Sequence, residues 1–159
     1  MKPEDEGYLR DLMIIPVGPS GCGKTSFRRE LREGVEIVSP DEIRFRMLDY
    51  EHTGIDFDSS TEKEVWIEAY ANLDRLLSER KSVYFDATNL TFERRYKLVA
   101  RARKAGYWVK IVYFDIQLER ILRRNAGRER KVPERVIAQQ FCALQVPESW
   151  ECDEYEEVG

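Results

Sequence analysis

The sequence predicts an α/β fold in which a mainly parallel sheet of four or five strands is covered by helices on both faces. Short apolar runs alternate with longer segments whose apolar residues recur every three or four positions, as strands alternate with amphipathic helices. A glycine-rich segment, GPSGCGKT at residues 18–25, lies between the first apolar run and the first helical segment. The chain has 159 residues and no linker, so we expect residues 1–159 to form one domain.

The strands are predicted at four apolar runs. They are LMIIPV (12–17), VEIV (35–38), SVYFDATN (82–89, ending in a polar turn) and WVKIVYFD (108–115). Pro16 is expected at the exit of the first strand, because proline cannot donate to a sheet ladder. The acidic tail, residues 148–159, either adds a last edge strand or is loose.

The helices are predicted from apolar periodicity and from their start and stop signals. Ser39 and Pro40 are the expected cap and first residue of the second helix, and Gly106 is expected to close the helix at residues 91–105. A polar loop is expected at residues 50–61. Further helices are expected directly after the glycine-rich segment, over about five turns around residues 65–77, at about 117–126, and from Pro133 onward.

Composition excludes some classes of protein and leaves others open. No apolar run approaches the roughly 20 residues of a membrane helix, and the polar N-terminus is no signal peptide. Three cysteines without metal-ligand spacing favour a reducing, cytoplasmic setting with no membrane partner. The net charge of −4 comes from the tail, since residues 1–147 carry +2. The overall charge therefore does not exclude a nucleic-acid partner.

The segment GPSGCGKT has every fixed residue of the phosphate-binding loop of nucleotide-binding proteins, in the required place between a strand and a helix. Backbone N–H groups and a helix N-terminus there favour an anion. Lys24 is expected to reach the β- and γ-phosphates of ATP, and the Thr25 hydroxyl to bind Mg²⁺. The predicted nucleotide-binding residues are Gly18, Ser20, Gly21, Cys22, Gly23, Lys24, Thr25 and Ser26.

Asp41 is a candidate general base. It follows the second strand, where a carboxylate would face the γ-phosphate and could take a proton from an acceptor hydroxyl. Its spacing alone is equally compatible with an acidic residue that stabilises a helix start. Arg44 lies one turn later on the same face and could grip the acceptor, or could be a surface ion-pairing residue.

Polar residues at the end of the third strand are candidates for metal and substrate contacts. Asp86 could reach a Mg²⁺ ion through water, and Thr88 and Asn89 add hydrogen-bonding groups at the edge where parallel sheets bind ligands. A polar turn, with Asn89 helping to cap the next helix, is the alternative.

The basic segment RRNAGRERKVP forms a predicted lid at about residues 123–133. Arg124 and Arg128 are four residues apart and share a helical face, and Gly127 permits hinging. Arginines on such a segment can fold over a triphosphate and stabilise the transferring group. A solvated basic face is the other interpretation.

These motifs together resemble the kinase domain of the polynucleotide kinases, P-loop phosphotransferases of the adenylate-kinase-like fold group. The resemblance covers about residues 13–148 and depends on GPSGCGKTSF, VSPDEIR, DATNLTFERR and RRNAGRERKVP in that order. It implies Asp41 as general base, Arg44 as a substrate-gripping residue, and Arg124 and Arg128 as lid arginines on the nucleotide phosphates. In one form of the family pattern an acid directly precedes Thr-Asn; here Ala87 holds that position.

The expected function is therefore ATP- and Mg²⁺-dependent transfer of the γ-phosphate to a 5′-hydroxyl end of RNA or DNA. A kinase for a small hydroxylated metabolite or a specific RNA is the nearest alternative. A nucleotide switch or a P-loop ATPase acting as a binding module is less favoured, since no Asn-Lys-x-Asp motif and no strand-borne Asp-Glu pair occurs.

Overall fold

The computed structural model describes residues 11–47 and 59–159, where five strands form one parallel sheet in the order β2-β3-β1-β4-β5. The predicted N-terminal segment and most of the polar loop at 50–61 lie outside the described residues. The strands are β1 (Leu12–Val17), β2 (Val35–Val38), β3 (Ser82–Phe85), β4 (Trp108–Phe114) and β5 (Glu154–Val158). The α-helices are α1 (Lys24–Arg29), α2 (Pro40–Met47), α3 (Ser59–Ser78), α4 (Phe92–Lys104), α5 (Leu118–Ala126) and α6 (Glu134–Ala143).

Apolar side chains on the two faces of the sheet form two cores, which makes the domain three layers thick. Met13, Ile15 and Val17 of β1 pack on the side of α3 and α4. Ile14, between them in sequence, points to the other side, where α1, α5 and α6 pack. Successive strand residues alternate between faces, so a fully apolar strand supplies both cores at once.

Pro16 lies inside β1, which corrects its predicted place at the strand exit. It pairs with Val112 of β4, whereas the pairing of β1 with β3 ends at Ile14. The Pro16 carbonyl points toward the end of β3, where it accepts the Asn89 side-chain amide at 2.8 Å. The N–H and C=O of a strand residue point toward the same neighbouring strand. The N–H that proline lacks would therefore point toward the β3 side, where the pairing of β1 with β3 has already ended.

The acidic tail contains a strand and is held by a buried ion pair. β5 pairs in parallel with β4, from Lys110↔Glu154 to Phe114↔Val158. A 3₁₀ helix, Ser149–Glu151, precedes it. Arg95 of α4 donates from Nε to Glu151 Oε1 at 2.8 Å, and the two side chains are only 1% and 4% exposed. Of the two possibilities that the sequence left open, the edge strand is therefore confirmed.

Two backbone hydrogen bonds join the carboxyl ends of three strands. Asp86 N donates to Val38 O at 2.8 Å, and Gly18 N donates to Thr88 O at 3.0 Å. The loops that follow β1, β2 and β3 are thereby held together at one edge of the sheet, the edge where parallel sheets bind ligands. Within the described residues, no helix is long and apolar enough to cross a membrane.

Candidate functional site

The loop between β1 and α1 depends on its glycines. Gly21 and Gly23 have φ angles of 85° and 120°, which side chains disfavour. At Gly18 a Cβ atom would lie 2.5 Å from Cys22 Sγ, so only glycine fits beside that buried thiol. The fixed glycines of the motif are thus explained by backbone conformation and by close packing.

Lys24 is buried and turned into its own loop. Its Nζ donates to Gly18 O and Pro19 O, each at 2.7 Å. The Tyr84 hydroxyl on β3 donates to Lys24 O at 2.9 Å and fixes the start of α1. Thr25 and Ser26 are exposed in the first turn of this helix. The ammonium group therefore lies among the loop carbonyls.

Both predicted lid arginines lie against this loop. Arg124 Nη1 donates to Cys22 O at 3.2 Å. A Cβ atom on Gly21 would lie 3.8 Å from Arg128 Nη1. The helical turn continues past α5, since Arg128 N donates to Asn125 O at 3.1 Å, and this keeps the two arginines on one face. Gly127 has φ −87°, which any residue adopts, so its backbone gives no support to the predicted hinge.

Side-chain amides hold the lid and the following helix in place. Asn125 is buried and pairs with Val132 as a backbone would, with Nδ2 donating to Val132 O at 2.7 Å and Val132 N donating to Oδ1 at 2.9 Å. Gln140 of α6 accepts the Ser20 N–H at 2.8 Å. The two ends of the lid are therefore joined by hydrogen bonds between Asn125 and Val132, and α6 contacts the phosphate-binding loop directly through Gln140.

Asp86 lies at the end of β3, and its carboxylate is 13% exposed. It accepts Arg28 Nη1 at 3.1 Å, and Arg28 Nη2 also contacts Glu42 at 2.7 Å. Burial raises the pKa of Asp86; the Arg28 hydrogen bond and the charges of Lys24 and Arg28 oppose the rise, and the charge of Asp41 adds to it. Asp86 thus lies within electrostatic reach of both the loop lysine and the candidate base.

The residues fit a magnesium ion that is bound mainly by a nucleotide. Among the described residues, no group of three or more His, Cys, Asp or Glu side chains could hold a metal alone. Mg²⁺ in kinases keeps several waters and takes one or two protein oxygens besides the phosphates. The Thr25 hydroxyl and the Asp86 carboxylate are the oxygen donors at this edge that suit that role.

Asp41 and Arg44 are paired on α2, as their spacing predicts. Arg44 Nη1 donates to Asp41, whose side chain is 74% exposed. On its other side Arg44 contacts Glu62 of α3, with Nε donating to Oε2 at 2.9 Å. Trp66 Nε1 donates to the same carboxylate at 3.0 Å. The hydrogen bond from Arg44 lowers the pKa of Glu62, although burial acts the other way.

Thr88 and Asn89 have structural contacts that the substrate-binding prediction did not include. Asn89 is buried with φ 48°, and its Nδ2 donates to the carbonyls of Pro16, Phe85 and Ala87. Thr88 O accepts Gly18 N. The Asn89 amide nitrogen therefore holds the ends of two strands together. The predicted alternative, Asn89 as a helix cap, is wrong, because Thr91 Oγ1 caps α4 by accepting Arg94 N.

Several site residues were missed from the sequence. Gln140 was detectable as a polar residue within the apolar stripe of α6, between Ile137 and Phe141. Arg28 follows Lys24 by one helical turn, but nothing in the sequence shows that it meets Asp86, 58 residues later. Glu62 precedes the apolar face of α3 and gives no signal of its own.

The fold and the glycine loop define a P-loop kinase-like α/β domain. The chain belongs to the AAA domain family AAA_33, whose family model matches residues 13–147. A comparison with curated proteins finds no match to this chain.

Solved structures share this fold. A chain of the Pnkp1/Rnl/Hen1 RNA repair complex superposes with a TM-score of 0.73 at 22% identity, covering 86% of this chain and 44% of that one. Chaetomium thermophilum Kti12 in complex with ADP-AlF3 gives 0.70 at 18%, covering 92% and 88%. A gluconokinase from Sinorhizobium meliloti 1021 gives 0.65 at 18%, covering 94% and 83%.

The chain spans less than half the length of the RNA-repair proteins that it matches, 39% in one structure and 44% in another. At these identities the likeness shows the fold, and the fold class predicted from the sequence, an adenylate-kinase-like P-loop domain with a parallel sheet, is confirmed.

Proposed function

We propose that this domain is an ATP- and Mg²⁺-dependent kinase that transfers the γ-phosphate to a 5′-hydroxyl end of RNA or DNA. The observation that carries the proposal is that the lid arginines and the Asp41–Arg44 pair lie at the same edge of the sheet. Arg124 and Arg128 lie on the phosphate-binding loop. The Asp41–Arg44 pair lies on α2, which follows the end of β2 at the same sheet edge, two strands from β1, where an acceptor would approach.

Each residue has a defined task in this reaction. Lys24 leaves the Gly18 and Pro19 carbonyls and donates to the β- and γ-phosphates. Asp41 takes the proton of the acceptor hydroxyl, and the oxygen of that hydroxyl bonds to the γ-phosphorus. The bond between the γ-phosphorus and the bridging oxygen breaks at the same time, and ADP leaves with that oxygen. Arg124 and Arg128 hold the charge that gathers on the transferring group. Bound Mg²⁺ would neutralise phosphate charge, with Thr25 and Asp86 as its protein contacts.

Arg44 is positioned to orient the acceptor. Its guanidinium is held by Glu62 on one side and by Asp41 on the other, so its direction is fixed before any acceptor arrives. A fixed cation beside the base loses little freedom when it binds a phosphate of the acceptor strand. Thr88, half-buried at the same edge, completes the proposed acceptor side.

The test is phosphate transfer by the Asp41→Asn variant. Wild-type protein with labelled ATP should label 5′-hydroxyl oligonucleotides, and Asp41→Asn should reduce kcat by about 10²–10⁴-fold with the KM for ATP unchanged. Asp74→Asn is the matched control, since Asp74 is an exposed acid that pairs with Arg101 and lies about three turns along α3 from Glu62. Transfer by Asp41→Asn within tenfold of wild type would exclude Asp41 as the base.

A kinase for a small hydroxylated metabolite is the second candidate. The likeness to a gluconokinase covers 94% of this chain, and the acceptor arginine is flanked by two carboxylates. The two candidates differ in salt dependence. Binding of an oligonucleotide weakens steeply with salt because phosphate contacts release counterions, whereas an uncharged polyol shows no such slope. Labelling of polyols but not of oligonucleotides would favour the metabolite kinase.

A further inference from the structure

Phe45 of α2 contacts the lid. The guanidinium carbon of Arg130 lies over the Phe45 ring, 3.9 Å from its centre. Phe45 is half-buried and Arg130 is exposed. The lid therefore contacts the phosphate-binding loop through Arg124 and α2 through Arg130.

Helical geometry places the Phe45 ring beside the proposed base. Ile43 is buried in the core, while Asp41, Arg44 and Phe45 fall within an arc of about 100° on the opposite side of the helix. Asp41 and Phe45 are one turn apart, with Cβ atoms separated by about 5–6 Å. A single ribose separates a nucleobase from its own 5′ oxygen by a similar length.

Two other arginine–aromatic contacts differ from this one in their surroundings. Arg94 lies over Trp66 and Arg101 over Tyr70, so these stacks join the adjacent helices α3 and α4. Both rings also stack on the buried Phe85, which makes them part of the core packing. The Phe45–Arg130 contact instead joins α2 to the lid.

We propose that the Phe45 ring is the stacking surface for the base of the acceptor's 5′-terminal nucleotide, and that Arg130 occupies this surface until the acceptor displaces it. This inference rests on the proposed function. A nucleobase is planar and stacks on an aromatic ring as a guanidinium does, and such stacking tolerates any base. With the base on Phe45, the ribose extends along the helix face toward Asp41, and Arg44 lies beside the acceptor oligonucleotide. The site therefore selects for a base at the 5′ end without selecting which base.

The test compares two 5′-hydroxyl oligonucleotides that differ only in whether the 5′-terminal nucleotide carries a base or is abasic. Wild-type protein should show a KM for the intact acceptor roughly 5- to 150-fold below that for the abasic one, as base–aromatic stacking provides. Phe45→Ala should raise the KM for the intact acceptor by that factor, leaving the KM values for the abasic acceptor and for ATP unchanged. Phe45→Trp should restore the preference.

Two further variants complete the experiment. Tyr96→Ala, which removes an exposed ring on α4, is the matched control and should leave the preference intact. Arg130→Ala should lower the KM for the intact acceptor about two- to fivefold, because the ring no longer has to be vacated. A higher KM for the intact acceptor in this variant would overturn the inference that the acceptor base displaces Arg130 from the Phe45 ring.

The outcomes separate the inference from the proposed function. Equal KM values for the two acceptors in wild-type protein, or a Phe45→Ala effect that is the same on both, would overturn the stacking surface while the kinase activity stands. Wild-type protein that labels neither acceptor would overturn the proposed function and the stacking surface with it.

Discussion

Glu151→Ala should destabilise the fold strongly, because it breaks the buried ion pair with Arg95. The carboxylate accepts Arg95 Nε at 2.8 Å, Arg95 Nη2 at 3.3 Å and the Glu148 N–H at 2.7 Å. The variant leaves a guanidinium that is 1% exposed with no counter-charge. Removing one partner of a buried pair costs about 3–5 kcal/mol.

This loss is large enough to measure by thermal and urea unfolding. For a chain of this size, about 3–5 kcal/mol corresponds to a fall in Tm of about 6–20 °C. Arg95 Nη1 still donates to Asn89 O and Leu90 O, each at 3.0 Å, so the loop at the end of β3 should keep its shape in the folded variant. The variant should therefore be less stable, while its folded structure changes little.

An exposed pair provides the control for this experiment. Asp74→Ala breaks the Arg101–Asp74 contact, whose side chains are 36% and 56% exposed, and should cost less than about 1 kcal/mol. A loss below about 1 kcal/mol for Glu151→Ala would refute the reasoning, since the buried guanidinium would then have found water or another partner.

Arg128→Ala should lower kcat by about 10³-fold or more with little change in Tm, because Arg128 is exposed and its guanidinium lies against the loop. Steady-state rates with labelled ATP check this, and an unchanged kcat would remove Arg128 from the site. Asp86→Asn should gain stability relative to wild type as the pH rises from about 3.8 through the raised pKa of Asp86. Burial raises the pKa of Asp86 above its ordinary value of 3.8, so the native protein binds that proton more tightly than the unfolded chain and loses stability as the pH rises through this window. Urea unfolding of both proteins at several pH values measures the difference, and a wild-type protein that gains on the variant would contradict the sign.

The sequence predicted the elements of this fold well because their signals are local. Ser39 caps α2 by accepting Glu42 N, and Gly106 follows α4 with φ 79°, as expected. The place of Pro16 could not be predicted, because it depends on where the pairing of β1 with β3 stops. Beyond that point the Pro16 carbonyl accepts a hydrogen bond from the Asn89 side chain, which lies 73 residues further along the chain.

The candidate site was predictable where one motif supplies it and not where distant elements meet. The glycine loop and the spacing of Arg124 and Arg128 are readable, since four residues make one helical turn. The contacts of Arg44 with Glu62, of Arg28 with Asp86 and of Ser20 with Gln140 join helices and loops whose packing no local pattern describes.

The Asn125–Val132 pairing makes the end of the lid a closed ring of chain, fastened at its neck by two hydrogen bonds. The relative position of α5 and α6 depends on the two Asn125–Val132 hydrogen bonds and not on the residues between them. Residues inside the ring can therefore be replaced, added or removed without shifting the register of either helix. The length of this ring can therefore differ while the positions of α5 and α6 stay as they are.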